Sequence, residues 1–193
     1  MRKEDTPSIL LDFLTVRSAP LLESFGDWAS AKIPIIRGFG PCVDHFSYKC
    51  REVREYDALR SRFEEYAEGW QGCRFLHQAI ISGRRVAVIG LEGVIPTPLG
   101  DLRVLELSEP KPMSADAGGF DHVEIFPKRG TIAEMAEALN RNGHALAPFV
   151  LKARPHHATW DVLLPADGRP GRQDLIIRLT DGPLVEKIGI EMR

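Results

Sequence analysis

Residues 120–124 read FDHVE, and residues 43–47 read VDHFS. Each stretch places an apolar residue before Asp-His and continues as an alternating, strand-like run. Seventy-seven positions separate His45 from His122. A helical segment follows each stretch, starting near 54 and near 131, at about the same offset. The two stretches therefore read as one structural unit used twice, with a histidine at the same place in each copy.

Working outward, the first copy begins with a strand over Cys42–Cys50 and a helix from about Glu52 to Trp70. Tyr56, Leu59, Phe63, Tyr66, Ala67 and Trp70 line one face of that helix. Strands follow over Arg74–Ile81 and Arg85–Leu91, joined by a tight turn at Ser82-Gly83-Arg84. A loop over Gly93–Gly100 precedes a last strand, Leu102–Ser108. In the second copy, strand Asp121–Phe126 leads to a helix. Thr131 and Glu134 form a capping-box pattern at its start, Ile132, Met135, Ala136 and Leu139 form its apolar stripe, and Gly143 stops it. Strands are expected at Ala158–Leu164, Leu175–Leu179 and Val185–Met192. Residues 7–32 read as two short helices, or one broken near Pro20, with a loop from Pro34 to Pro41.

The fold class is thus α+β: two β-α-β-β-β modules, 42–110 and 120–193, joined by a linker at 111–119 and preceded by an N-terminal helical extension, 1–41. Together they are expected to make one compact domain.

Alternation sorts the strand faces. Phe46, Tyr48, Val123 and Ile125 suit the side packed on the helices. His45, His122 and Glu124 then face the opposite side, and so does Glu106, which alternates with Leu105 and Leu107. By the same rule Glu191 faces that side if 185–192 is a strand. Asp44 and Asp121 alternate onto the helical side, where capping or strand-end hydrogen bonding is the ordinary role. Taken alone, a strand histidine is more often a hydrogen-bonded structural residue than a ligand; the repeat and Glu106 shift the balance.

Composition narrows the function classes. The chain has 193 residues, 44% of them hydrophobic, and a formal net charge of -2. No basic arm or face points to nucleic acid. No apolar run is long enough to span a membrane, and the N-terminal apolar patch is broken by Asp12 and Arg17, so no secretory leader is expected. Cys42, Cys50 and Cys73 have no CxxC spacing and are odd in number, which fits a reducing cytoplasm.

The stretches VDHFSYKCR (43–51), SGRRVAVIGL (82–91), LRVLELSEP (102–110), GFDHVEIFPK (119–128) and RPHHATWDV (154–162) resemble the vicinal oxygen chelate superfamily, the glyoxalase and extradiol-dioxygenase fold. Within it the chain looks most like the YecM-like branch of metal-binding proteins. That resemblance implies two modules related by a pseudo-two-fold axis, whose curved mixed sheets form a cup. It implies a divalent metal ion (Zn, Ni, Fe, Mn or Co) held by His45, Glu106, His122 and Glu191, with His157 or water completing the shell if Glu191 does not. The metal would act as a Lewis acid on a small, oxygen-bearing, anionic substrate, in isomerase, lyase or dioxygenase chemistry. Glu124 and His157 are then candidate acid–base groups, and His77, Arg84 and Arg178 candidate substrate contacts. The alternative is a cup that sequesters a small ligand without catalysis. Either form could be a monomer or a homodimer.

Overall fold

The computed structural model describes residues 16–69, 73–111, 118–142, 146–150, 158–165 and 174–191. Helix α1 (Ala19–Ile36) leads through a short 3-10 turn into β1 (Pro41–Lys49), α2 (Val53–Gly69), β2 (Cys73–Ile81), β3 (Arg84–Thr97) and β4 (Gly100–Ser108). The second half runs β5 (Gly119–Pro127), α3 (Ile132–Arg141), β6 (Leu146–Val150), β7 (Ala158–Leu164), β8 (Leu175–Leu179) and α4 (Leu184–Glu191). Each half is therefore β-α-β-β-β. The strands form one curved mixed sheet in the order β2-β3-β4-β1-β5-β8-β7-β6. β1–β4 and β5–β8 pair parallel, and the remaining neighbours pair antiparallel.

The sheet order reads the same from both edges once β1 is matched with β5 and β4 with β8. At the centre Phe46 lies opposite Val123, its own counterpart in the repeat, so the local two-fold passes between them. The pairing is interrupted twice. Asp44 and His45 together face the single residue Glu124, between the pairs Val43–Ile125 and Phe46–Val123. Asp121 is the extra residue between the pairs Ser47–His122 and Tyr48–Phe120. Both are β-bulges, and each falls on the aspartate before a histidine.

The main core lies between the sheet and the helices. Phe46, Val123, Ile125, Leu105 and Leu107 are fully buried there with Tyr56 and Phe63 of α2 and Met135 and Leu139 of α3. Helix α1 adds Leu21, Phe25, Trp28, Ala29 and Ile36 to the same core. The helix continues through Pro34, which lies inside its last turn, so the loop expected from that residue begins later. The Thr131–Glu134 capping box is formed. Ser82 and Gly83, with φ of 52° and 77°, make the two-residue turn between β2 and β3.

Three expectations are corrected. β3 runs on to Thr97 and re-pairs with β4 at Ile95–Leu102, so most of the expected loop at 93–100 is strand. A strand at 146–150 completes the second module. The expected strand over 185–192 is helix α4, and Glu191 is its last described residue. Leu184 and Ile188, one helical turn apart, pack against Val88, Val104 and Leu76 on the first module's concave face. The last strand of module two is therefore β8, and the carboxylate assigned to a final strand is not on one.

Residues 1–15, Trp70, the central linker (112–117), Gly143, His144, His156 and His157 lie outside the described residues. Among the described residues no helix is long and apolar enough to cross a membrane.

Phe46 is fully buried at the two-fold. Phe46→Ala should lower unfolding stability by about 3–5 kcal/mol. A urea midpoint unchanged from wild type would show that the central pairing does not carry the fold.

Candidate metal centre

The histidines meet where the two bulges lie. The His45 and His122 ring centroids are 5.8 Å apart, with planes at 73°. Glu124 Oε1 lies 3.8 Å from His45 Nε2 and 3.4 Å from His122 Nε2. One donor atom from each of His45, His122 and Glu124 falls within 4.8 Å of the others, a grouping that could hold a metal ion.

The preceding aspartates set both rings. His45 Nδ1 is 3.0 Å from Asp44 Oδ2, and His122 Nδ1 is 3.0 Å from Asp121 Oδ2. Each Nδ1–H thereby donates to a carboxylate, which leaves Nε2 as the inward-facing atom, the orientation in which a carboxylate commonly holds a metal-binding imidazole. The Asp44 oxygen also accepts the backbone N–H of Leu184 at 2.9 Å, and Asp121 Oδ1 takes Lys49 Nζ at 3.0 Å. Strict alternation places these aspartates on the helical face. The bulges break that alternation, and Asp44 is buried beside its histidine.

Donor chemistry fits a divalent cation. His45 is 1% exposed, and its Nε2 is buried with no hydrogen-bond partner. Such a nitrogen ordinarily finds one, and a cation shared with His122 and Glu124 would supply it.

Charges in the cluster are tightly coupled. Burial alone would lower the His45 pKa, but Glu124, with the Asp44 hydrogen bond, outweighs it and pushes the imidazole up to about 9. His122 is likewise raised: burial and Arg178 oppose the shift, and Asp121 and Glu124 prevail. Burial would raise Glu124, but His45, His122 and Arg178 hold it well below the usual carboxylate range.

A cavity of about 400 Å³ opens over these groups, a size that suits a small ligand. Glu106 lines it and accepts the Ser47 hydroxyl at 3.0 Å; it helps to raise His45 but is not one of the three clustered groups. Arg84 is on the wall, donating through Nη1 to Ser108 Oγ and the Glu109 carbonyl, both at 3.3 Å. Arg178 faces the cluster, and its Nη1 is 3.4 Å from His122 Nε2. His77 lies apart, on a small void against α4. Arg85 turns away to Glu109, Asp57 and the Tyr56 ring. A larger cavity, about 630 Å³, lies against Tyr48, Glu55 and Phe120 and contains none of the histidines.

Sequence reasoning missed three groups: Asp44 and Asp121 as holders of the imidazoles, and Asp161 as the partner of Arg178. The repeated Asp-His dipeptide is the signal that could have found the first two. Asp161 had none, since its role depends on β7–β8 pairing.

The family model described as YecM protein matches residues 37–154. Among solved structures, a structural-genomics target named protein EC4020 shares 20% identity over 88% of this chain and 91% of its own, with a TM-score of 0.56, a likeness of fold. A Streptomyces coelicolor methylmalonyl-CoA epimerase variant in complex with 2-nitronate-propionyl-CoA shares 16% identity over 73% of this chain and 98% of its own, with a TM-score of 0.44. A mutant of 4-hydroxymandelate synthase from Streptomyces coelicolor shares 14% over 77% and 51%, with a TM-score of 0.38. Comparison with curated proteins gives no match.

The raised His45 pKa makes stability pH-dependent. The paired imidazolium stabilises the fold fully below 6.5, and that contribution is lost as pH rises through about 9. In the presence of chelator the unfolding free energy from urea titration should fall across that window, by about 3 kcal/mol at most, and His45→Gln should flatten the fall. An identical pH profile in both proteins would refute the assignment.

Proposed function

The chain belongs to the YecM protein family, and from the geometry of its twin Asp-His strands we propose that it is a divalent-metal-dependent enzyme of the vicinal oxygen chelate type. It acts on a small, oxygen-bearing anion. One observation carries this reading: His45 Nε2 is buried without a hydrogen-bond partner beside His122 and Glu124, while aspartates hold both Nδ1 atoms.

His45, His122 and Glu124 hold the ion in this proposal. Two imidazoles and a carboxylate suit Zn, Ni, Fe, Mn or Co. When bound, the ion supplies Lewis-acid stabilisation of developing negative charge. Asp44 and Asp121 keep the imidazoles in the tautomer that directs Nε2 inward. Binding must displace the protons that the raised imidazole pKa values hold there. Glu106, on the facing wall and hydrogen-bonded to Ser47, is the proton acceptor, which favours isomerase or lyase chemistry. Lys49, Arg84 and Lys187 line the same cavity and draw an anion towards it.

Sequestration without catalysis is less well supported, because the described residues lining the cavity include no Phe, Tyr or Trp.

Chelator-treated protein should take up one Zn or Co ion per chain by elemental analysis and calorimetry. His45→Ala with His122→Ala should abolish that uptake, and Asp44→Asn should weaken it by about 10–100-fold. A protein without stoichiometric metal, or a double variant with unchanged uptake, sinks the proposal.

A further inference from the structure

The two modules present different concave faces. Val88 pairs with Glu106 in the first, and Asp161 pairs with Arg178 at the matching place in the second. The match follows from the pairs Ser47–Glu106 and Glu124–Arg178, since Ser47 and Glu124 are counterparts in the repeat. The apolar face of the first module is covered: Leu184 and Ile188 of α4 pack on Val88, Val104 and Leu76. On the second module Thr159 and Arg178 line the open cavity instead. Helix α4 is therefore an addition to the repeat, seated over one half of the cup.

Its first residue reaches the candidate metal centre. A first-turn N–H has no partner within its own helix and must find one outside. The Leu184 N–H donates to Asp44 Oδ2 at 2.9 Å, and the same oxygen takes His45 Nδ1 at 3.0 Å. The matching aspartate, Asp121, is supported by Lys49 of β1 through its other oxygen. One imidazole is thus set by the sheet alone, and the other by the sheet and a helix. That helix is lightly held. Eight residues are too few to be stably helical without tertiary contacts. Leu184 is half-buried, Val185 is exposed, and a void of about 20 Å³ remains between α4 and β2–β4. Lys187 ties α4 back to Thr180 and Asp181 at the end of β8. An element of this kind opens at a lower free energy than the core does.

We propose that the seating of α4 and the loading of the metal centre are one coupled equilibrium. The docked helix fixes Asp44, and Asp44 fixes the His45 ring with Nε2 inward. An ion on Nε2 fixes the same ring from its other side. Each event makes the other more favourable. By linkage, the factor by which docked α4 tightens the ion equals the factor by which the ion tightens docking. This inference rests on the metal-site reading above and adds its regulation: whatever draws α4 off the first module loosens the ion.

Full-length protein is compared after chelation and after loading with Zn or Co. Hydrogen exchange across 184–191, read by mass spectrometry, should slow by about 10-fold on loading, with α3 unchanged. Ile188→Ala weakens the seat without touching the cluster, and should weaken Co binding by about 3–10-fold in a titration followed by the visible spectrum. Leu139→Ala, in the core under α3, is the control for lost stability; it should lower the urea midpoint and leave Co affinity unchanged. Leu184→Pro removes the N–H at a position where proline suits a helix, and should weaken Co binding by about 10-fold. Added to Asp44→Asn, it should cause no further loss, because it acts through that carboxylate. Exchange across 184–191 that ignores the metal overturns the inference and leaves the metal site standing. Equal loss of Co affinity in Leu139→Ala and Ile188→Ala overturns it as well, and so do losses that add in full in the double variant. A wild-type protein that takes up no metal overturns the reading beneath, and the inference with it.

Discussion

β1 and β5 meet antiparallel at Phe46 and Val123, and the other strands take their places from that pairing. Phe46 and Val123 are fully buried on the helical side. With those residues turned inward, the neighbouring histidines must turn to the concave face, on opposite sides of the two-fold. The same junction carries two bulges, so its ladder is weakest where the chemistry is densest. What the backbone gives up there is offset by the Asp–His hydrogen bonds and the Lys49–Asp121 ion pair.

Much of this was legible from residue order. The repeat of VDHFS and FDHVE marked the first strand and first helix of each half, because an apolar face of period two and a following stripe of period 3.6 occur in both copies. Glu106 reached the concave wall for the same reason. Limits appeared where period is ambiguous or broken. Ile188 and Ile190 alternate with Gly189 and Glu191 as in a strand, yet Leu184 and Ile188 satisfy a helical spacing, and their packing on Val88 and Val104 goes with the helix. LAPFV at 146–150 shows no alternation and contains Pro148, so it gave no strand signal. The aspartates were assigned to the wrong face because an inserted residue shifts alternation, and a bulge leaves no mark in composition.

Electrostatics couple the groups of this cluster to one another. Unit charges about 4 Å apart in a partly screened setting interact by about 4 kcal/mol, and at least four such contacts converge on Glu124, His45, His122 and Arg178. Asp161 offsets much of the guanidinium charge. The remaining carboxylates, Asp44 and Asp121, are spent on the imidazoles. The arrangement leaves a concave, charged wall whose groups are oriented before any ligand arrives, so little reorganisation is demanded at binding.

One oxygen of Asp44 serves two masters: the imidazole next to it and the backbone N–H of Leu184, 140 positions later. A side chain of the first histidine strand is thus held in part by the start of α4, so the pose of the His45 ring is tied to the docking of that helix on the first module.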